Sequence, residues 1–385
     1  MRTWLLPEHI EDVLPDDARR IEEMRRALLE LFRVHGYQLV MPPMLEYVES
    51  LLSGTGHDMD LVTFKLVDQL SGRLMGVRAD HTPQVARIDA HLLNRQGVTR
   101  LCYAGSVLHT LPAGLTKTRE PLQVGAELYG HAGLEADLEV QQLMIDALKL
   151  IGLKDVQLDV GHPAIFHALL RECAPGLDVA EQIFHAVQRK DAPALEALCK
   201  DNVRAKALLA LPGLYGATDV LDRARRELPP LPEITSALDE LAVIAKAFAA
   251  QGIKVSVDLA ELGGFNYESG ITFAAFSSGS PDAVARGGRY DEVGKAFGRA
   301  RPATGFTLDL KPLLGLIPRR DSARGVLAPV DGNDAVLAAK IRELRAAGEV
   351  VVQELPGHAA QRGELDCDRE LIRISGEWQI KPLAN

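Results

Sequence analysis

Gln123, Gly125 and Glu127 alternate along an apolar stretch and form a candidate binding site for a small ligand. Alternate side chains of a β-strand point to one face, so the amide and the carboxylate would face the same way, with Gly125 leaving space between them. An amide oxygen and a carboxylate suit a small cationic ligand. The same alternation also fits a sheet face with polar side chains turned to solvent, and strand periodicity alone leaves both interpretations open.

Asp80 and Thr82 form a second candidate pair, in the segment VRADHTPQVAR at residues 77–87. A protonated amino group binds hydrogen-bond acceptors, and a carboxylate and a hydroxyl two residues apart supply two of them. The same residues also suit the start of a helix before Pro83, because Asp and Thr favour the N-cap position. The two roles are compatible with each other.

A β-hairpin is the element that would position Gln123 and Glu127. Residues 103–108 and 123–129 are rich in β-branched, aromatic and small residues, which predicts two strands. The connection between them carries Lys117 and Arg119, together with proline and glycine, and is predicted to be a mobile, basic loop.

Helices are predicted before and after the hairpin. Residues 16–35 have an apolar face, acidic residues in the first turn and Gly36 after the last turn, which is typical of an amphipathic helix. Residues 134–152 form another helical pattern, and residues 165–251 are almost wholly helical, with prolines between the segments. Further short strands are predicted at residues 64–69, 73–77 and 156–160, and from residue 253 onward.

Length and composition indicate a globular protein with a sizeable core. The chain has 385 residues, of which 47% are hydrophobic and 25% charged, so two domains are expected. The formal net charge of -10 disfavours a broad nucleic-acid surface. The four cysteines are widely separated and no histidines stand at metal-ligand spacing, so no disulfide, metal site or cofactor is predicted. No apolar run suits a signal peptide or a bilayer span, and we expect a cytoplasmic protein without a membrane partner.

The hairpin sequence GSVLHTLPAGLTKTREPLQVGAELYG, residues 105–130, resembles motif 2 of class II aminoacyl-tRNA synthetases. It is similar in particular to histidyl-tRNA synthetase, whose second strand carries the pattern Q-x-G-x-E. Residues 36–47, GYQLVMPPMLEY, resemble motif 1, which forms the dimer interface in that family, and residues 287–291 match its GGRYD element intact. The resemblance implies an α+β fold with a class II synthetase-like antiparallel sheet flanked by helices, and self-association as a dimer.

The positions that handle ATP in the synthetases carry other residues in this chain. Aligned on the family motifs, the three arginines are replaced by His109, Gly263 and Pro312. One preorganised charge donor is worth about 10²- to 10³-fold in rate, and an arginine on phosphoryl charge about 10³ to 10⁵. Lys117 and Arg119 remain as partial substitutes of different geometry. The resemblance therefore implies a protein that is not an enzyme and has no catalytic residues, provided that no other guanidinium reaches the cavity.

The positions that hold the amino acid are largely kept. The histidine-binding residues implied by the resemblance are Asp80, Thr82 and Gln123 for the α-ammonium group and Glu127, Tyr267 and Tyr290 for the imidazole. Very small ligands such as free histidine can reach the highest binding free energies per non-hydrogen atom. A binding free energy of about -8 kcal/mol, which corresponds to micromolar affinity, is therefore attainable.

The resemblance also divides the chain. Residues 1–320 are predicted to form the class II synthetase-like domain, with a helical insertion at about 165–251, and residues 321–385 a truncated C-terminal α/β domain. About 60 residues follow Arg324, fewer than in the anticodon-binding domain of the synthetase, and bases and acids are mixed on their predicted helix. We therefore expect no tRNA partner.

One family combines these features: the regulatory subunits of ATP phosphoribosyltransferase, which are synthetase-like proteins. The resemblance implies that the chain joins the short catalytic subunit of that enzyme in a hetero-oligomer, for the first step of histidine biosynthesis, and confers feedback inhibition by histidine. Two alternatives remain open. One is an active histidyl-tRNA synthetase with degenerate motifs, and the other is a scaffold subunit that binds its protein partner and senses nothing.

Overall fold

The computed structural model describes residues 4–53, 57–112, 117–174, 176–200, 202, 204–263, 269–319, 324–330 and 332–383. They belong to two compact units, Met1–Pro318 and Arg319–Asn385. The expected domain boundary between residues 320 and 321 lies outside the described residues, and so does Tyr267.

A nine-stranded sheet forms the centre of the first unit. In chain order, the strands described in this unit are β1 (Gln38–Leu39), β2 (Leu45–Tyr47), β3 (Lys65–Val67), β4 (Leu74–Val77), β5 (Thr99–Ser106), β6 (Leu122–Tyr129), β7 (Val156–Gly161), β8 (Tyr215–Gly216), β9 (Lys254–Asp258), β10 (Thr272–Ser277), β11 (Ala285–Arg289) and β12 (Ala303–Asp309). The large sheet has the order β1-β5-β6-β12-β11-β10-β7-β9-β8, and β2, β4 and β3 form a separate small sheet. From β5 to β7 all neighbours are antiparallel, while β1 joins β5 and β9 joins β7 in parallel. The predicted antiparallel sheet is confirmed.

Helices pack on this sheet and also follow one another between β7 and β9, where the short strand β8 lies among them. The helices of the first unit are α1 (Pro15–Val34), α2 (Val48–Leu51), α3 (His57–Val62), α4 (Thr82–Arg87), α5 (Leu134–Leu150), α6 (Pro163–Cys173), α7 (Leu177–Gln188), α8 (Ala192–Cys199), α9 (Lys206–Ala210), α10 (Val220–Glu227), α11 (Pro232–Ala249) and α12 (Leu310–Leu313). The helices predicted at residues 16–35 and 134–152 are confirmed as α1 and α5. The hairpin is confirmed as β5 and β6, although its first strand begins earlier than predicted, at Thr99.

The strand register separates a core face of the sheet from a polar face. Phe306 on β12 pairs with Ala126 and Gly287, and its ring meets Phe32 of α1 edge to face with 5.8 Å between ring centroids. Neighbouring positions along a strand point the other way, so Gly305 and Thr307 belong to the opposite face. The helices α1 and α5 thus cover the apolar side, and the hairpin's polar residues face away from it.

The register also aligns the polar residues in two rows across the strands. Gly305 pairs with Glu127, while Thr307 pairs with Gly125 on one side and with Arg286 on the other. Paired residues of antiparallel strands share a face. Glu127 and Arg286 therefore lie on the same side of the sheet, on strands separated by β12 alone.

A buried ion pair joins the sheet to α5. The guanidinium of Arg289, the arginine of the GGRYD element, donates to Oδ2 of Asp137 at 2.7 Å through Nη2 and at 3.1 Å through Nε. The side chains are only 9% and 2% exposed. Two charges are removed from water here, so Asp137 depends on this guanidinium for compensation. Arg289 has a second acid beside it, because its Nη1 also donates to Oδ1 of Asp291 at 3.2 Å.

The second unit is a small α/β structure. It contains β13 (Gly325–Ala328), α13 (Ala335–Ala346), β14 (Val351–Gln353), β15 (Cys367–Ile374) and β16 (Glu377–Pro382), with strand order β14-β13-β15-β16. The apolar pattern of residues 369–376, RELIRISG, predicts the last strand of the chain, and this prediction is wrong because β16 follows. Ser375 and Gly376 both have positive φ angles, of 50° and 91°, which suits the tight turn of a hairpin whose strands pair from Ile374 and Glu377.

Within the described ranges of both units, none of the helices combines the length and the apolar character that crossing a membrane requires.

Candidate ligand-binding site

Four of the predicted histidine-binding residues line one cavity on the polar face of the large sheet. Asp80 and Thr82 stand at the start of α4, Glu127 lies on β6, and Tyr290 directly follows β11. The cavity has a volume of about 140 Å³. The sheet and α4 thus bring together residues that are far apart in the chain.

Glu127 is the buried centre of this cavity and is 1% exposed. Its Oε1 accepts hydrogen bonds from the hydroxyls of Thr82 at 3.2 Å and Tyr103 at 3.1 Å, and its Oε2 accepts one from the hydroxyl of Tyr290. Burial raises the pKa of Glu127 to about 8, although the three hydroxyls favour its ionised form. At pH 7 the carboxyl group is mostly protonated, and a cation beside it would favour ionisation.

Tyr103 fills the space that Gly125 leaves open. A Cβ atom at position 125 would lie 2.4 Å from the hydroxyl oxygen of Tyr103 and 2.5 Å from the carbonyl oxygen of Phe306. The expectation that Gly125 leaves room for a ligand is therefore wrong. Tyr103 is the register partner of Gly125 on β5, and its phenol lies across the glycine, so the free space is displaced toward β11 and β12.

Asp80 has an oxygen atom available for a ligand. Its Oδ1 is shielded from solvent and has no hydrogen-bond partner among the described residues. Burial raises the pKa of Asp80, and backbone N–H groups of Thr82 and His81 partly oppose this by stabilising the carboxylate. His81 holds the cap position of α4 and makes no side-chain cap hydrogen bond. A buried acceptor without a partner is costly, and a ligand donor would relieve that cost.

Gln123 holds the segment that carries Asp80. Its Oε1 accepts from the backbone N–H of His81 at 3.3 Å and lies 2.9 Å from Nδ1 of the same imidazole. That ring stacks on Tyr103 with 4.6 Å between centroids and an interplanar angle of 8°. Burial lowers the pKa of His81 to about 4, so the ring is neutral at pH 7. Gln123 lines a second, larger cavity of about 530 Å³.

The three residues at the synthetase arginine positions have structural contacts. The imidazole Nε2 of His109 lies 2.9 Å from the carbonyl oxygen of Ala79, directly before Asp80. The carbonyl oxygen of Gly263 accepts a hydrogen bond from Nε2 of Gln188 at 3.2 Å, and Pro312 lies in the short helix α12. Among these positions, His109 in particular supports the backbone that presents Asp80.

The two cations of the hairpin loop are also engaged. Nζ of Lys117 lies 3.2 Å from Oδ2 of Asp282. Arg119 donates to the carbonyl oxygen of His109 at 3.1 Å, and its guanidinium lies 5.1 Å from the centre of the Phe64 ring. Lys117 and Arg119 are therefore both held in place by contacts with other residues of the chain.

Arg286 is a cation of the site that sequence analysis missed. It lines the 140 Å³ cavity and also its two neighbours of about 530 and 510 Å³. Its Nη1 lies 3.8 Å from Oε1 of Glu261, and its side chain is 58% exposed. The assumption that no other guanidinium reaches the cavity is therefore wrong. Arg286 directly precedes the GGRYD element in the sequence, and this position next to a family motif was the sequence feature that could have indicated a role in the site.

Metal binding finds no support in the described ranges, where no group of three or more His, Cys, Asp or Glu side chains is placed to hold an ion.

Comparison with known proteins identifies the family. A model described as Histidyl-tRNA synthetase matches residues 9–313, and one described as the C-terminal domain of ATP phosphoribosyltransferase subunit HisZ matches residues 323–381. A protein from Ralstonia pickettii (strain 12J), named ATP phosphoribosyltransferase regulatory subunit, is 60% identical over 381 residues, 98% of each chain. A protein of the same name from Burkholderia cenocepacia (strain HI2424) is 57% identical and covers 99% of this chain and 100% of that protein. The chain belongs to the family of ATP phosphoribosyltransferase regulatory subunits. The family expected from the motifs is confirmed.

Solved structures agree with this family and with its synthetase-like fold. A structure described as an ATP phosphoribosyltransferase regulatory subunit/histidyl-tRNA synthetase from Bacillus halodurans C has a TM-score of 0.82 at 26% identity, covering 94% of this chain and 96% of that one. Histidyl-tRNA synthetase from Nostoc sp. PCC 7120 has a TM-score of 0.78 at 17% identity, covering 99% of this chain and 97% of that one, and shows the shared fold. The class II synthetase-like fold of this regulatory subunit is thereby confirmed.

Proposed function

We propose that this regulatory subunit binds free histidine in the 140 Å³ cavity and thereby confers feedback inhibition on ATP phosphoribosyltransferase. The observation that carries the proposal is the unpartnered Oδ1 of Asp80, which shares a cavity with the carboxyl group of Glu127. At about 30 Å³ for each water in the liquid, this cavity corresponds to about five waters. It therefore holds part of a histidine molecule, and the rest would extend into the larger neighbouring cavities that Arg286 also lines. Asp80 and Thr82 would bind the α-ammonium group, and Glu127 and Tyr290 the imidazole.

Gln123 has a positioning role in this proposal, because its carbonyl oxygen already binds His81. Tyr267, which lies outside the described residues, stays a prediction as a further imidazole contact.

A triphosphate is a poor ligand for this site, which favours a receptor over an active synthetase. Lys117 and Arg286 are the cations among the described residues lining the three cavities, and each has an acid beside it. The same linings carry further carboxyl groups, those of Asp80, Glu127 and Asp309. Phosphoryl transfer needs cations arranged around the phosphates, and one partly paired guanidinium does not replace three arginines.

Calorimetric titration with histidine tests the binding site. Glu127→Gln should weaken histidine binding at pH 7 by about 2- to 10-fold, because a neutral hydrogen bond contributes about 0.5–1.5 kcal/mol and an amide, unlike a carboxyl group, cannot ionise to pair with a protonated imidazole. The matched control is Glu364→Gln, at an exposed position of the second unit, which should bind as the wild type does. Equal affinities for the wild type and the Glu127 variant would place histidine elsewhere.

The partner of this chain would be the short catalytic subunit of ATP phosphoribosyltransferase, in an assembly that also contains a dimer of the regulatory chain. The names of its relatives support the catalytic partner, and the resemblance of residues 36–47 to motif 1 supports the dimer. The four free cysteines suit a reducing cytoplasm. Co-purification of the two subunits and assay with and without histidine should show activity that depends on this chain and falls with histidine. Activity unaffected by histidine would favour the scaffold alternative, and histidine-dependent pyrophosphate exchange by this chain alone would favour a synthetase.

A further inference from the structure

Arg286 occupies the junction of three cavities on the polar face of the sheet. It lies on β11, where it pairs with Ala274 on β10 and with Thr307 on β12. The row therefore continues through Thr307 to Gly125, next to the row that holds Glu127. This register directs the guanidinium to the same face as the proposed histidine cavity, which it lines.

The guanidinium of Arg286 forms only a weak ion pair within the protein, with Glu261. The separation of 3.8 Å between Nη1 of Arg286 and Oε1 of Glu261 is long for a charge-assisted hydrogen bond, and the two side chains are 58% and 40% exposed. By contrast, Arg289 on the same strand has less than a tenth of its side chain exposed and is bonded to Asp137 at 2.7 Å. Exposed pairs at such distances contribute little, so Arg286 can exchange Glu261 for a better acceptor at small cost.

The lining of the cavity carries complementary groups. Asp80 offers an unpartnered oxygen for a cation, and Arg286 offers five N–H donors for an anion. Thr307 lies between Arg286 and Gly125 in the register, and its hydroxyl is shielded from solvent without a hydrogen-bond partner among the described residues. An α-amino acid carries an ammonium and a carboxylate on one carbon, and such a zwitterion can use all three groups together.

We propose that Arg286 binds the α-carboxylate of the amino-acid effector, with the Thr307 hydroxyl as a second donor. The inference rests on the proposed function and adds to it the group that distinguishes an amino acid from an amine. Guanidinium and carboxylate form paired hydrogen bonds of matching geometry, so this contact selects the carboxylate itself.

Binding of the effector's carboxylate to Arg286 would also break the ion pair between Arg286 and Glu261. Glu261 follows β9 and is two residues from Gly263, whose carbonyl oxygen is bonded to Gln188 on α7. The effector's carboxylate and Glu261 compete for one guanidinium, so filling the cavity changes the charge balance of a segment that contacts the helical insertion. Removing the competitor with Glu261→Gln should tighten histidine binding by a factor of about 1.5 to 5.

Calorimetry with histidine and histidinol tests the assignment, since histidinol has a hydroxymethyl group in place of the carboxylate. The wild type should prefer histidine by about 10- to 100-fold, and Arg286→Gln should lose that preference while its affinity for histidinol stays unchanged. Arg286→Lys keeps the charge but not the paired donors, so its preference for histidine over histidinol should lie between those of the wild type and Arg286→Gln. Arg226→Gln, at an exposed position of α10, is the matched control and should keep the preference. Equal melting temperatures would establish that each variant is folded.

The outcomes separate this inference from the proposed function. If Glu127→Gln weakens binding of both ligands while Arg286→Gln keeps the full preference for histidine, the cavity binds histidine but the carboxylate contact is elsewhere, and this inference is overturned. If the wild type binds no histidine, or Glu127→Gln leaves its affinity unchanged, the proposed function fails and the inference fails with it.

Discussion

At pH 8.5 the Glu127→Gln variant should be more stable than the wild type by about 3–5 kcal/mol, whereas near pH 5 the two should be alike. Burial raises the pKa of Glu127 from 4.5 to about 8, so between these values the folded protein binds a proton that the unfolded chain does not. Stability therefore falls as the pH rises through this window, and above pH 8 the buried carboxylate is present without a cation. Glutamine resembles the protonated carboxyl group and does not titrate.

Denaturant unfolding at pH 5.5, 7 and 8.5 measures this effect. The difference between variant and wild type should grow with pH, and the control Glu364→Gln should follow the wild type throughout. Saturating histidine should reduce the difference at pH 8.5, because an imidazole N–H beside Glu127 can donate a hydrogen bond that stabilises the carboxylate, and because the wild type binds the ligand more tightly than the variant does. Parallel pH profiles for wild type and Glu127→Gln would show that the carboxyl group titrates normally in the folded protein.

Asp137→Ala should lower the free energy of unfolding by about 3–5 kcal/mol, because it leaves the guanidinium of Arg289 buried without its closest acceptor. The ion pair joins β11 to α5, so its loss affects the support of the strand that carries Arg286. A matched control is Asp239→Ala, which removes an ion pair of equal length, 2.7 Å to Arg225, between side chains 64% and 37% exposed. That change should cost no more than about 1 kcal/mol.

A double variant distinguishes an unpaired charge from lost packing. Adding Arg289→Met to Asp137→Ala should recover part of the stability, since the buried guanidinium, left with Asp291 as its acidic partner at 3.2 Å, is then gone. Urea titration of the wild type, Asp137→Ala, Arg289→Met and the double variant, analysed as a double-mutant cycle, gives the coupling free energy between the two side chains. Additive effects of the two substitutions would show that burial of the charge is not what makes Asp137 important.

Local pattern was sufficient for most of the first unit's elements. The amphipathic helix at residues 16–35 and the hairpin around Gly125 follow from periods of 3.6 and 2 in the sequence, and both are present as α1 and as β5 with β6. The turn at Ser375 and Gly376 was missed, and with it β16, because Ser-Gly is a weaker hairpin signal than the turns richest in Asn and Gly.

Local pattern could not establish which side chain lies over Gly125. Alternation places Gln123, Gly125 and Glu127 on one face, but it does not give the pairing of β5 with β6, and a one-residue shift would have turned Tyr103 to the other face. Register in this hairpin follows from packing of the apolar face against α1 and α5, which is a tertiary effect. The phenol of Tyr103, and not a ligand, occupies that space as a result.

The sequence alone was sufficient for the family and the antiparallel sheet, and it predicted Asp80, Thr82 and Glu127 as acceptors for an amino acid, because short motifs keep residue identity and spacing wherever the chain folds. It took the folded structure to show that these three residues share a cavity with Arg286, that Tyr103 fills the space beside Gly125 and that His109 contacts the carbonyl oxygen of Ala79. The physical reason is that charge and hydrogen-bond complementarity act through distances of a few ångströms, and strands far apart in sequence set those distances when they pair.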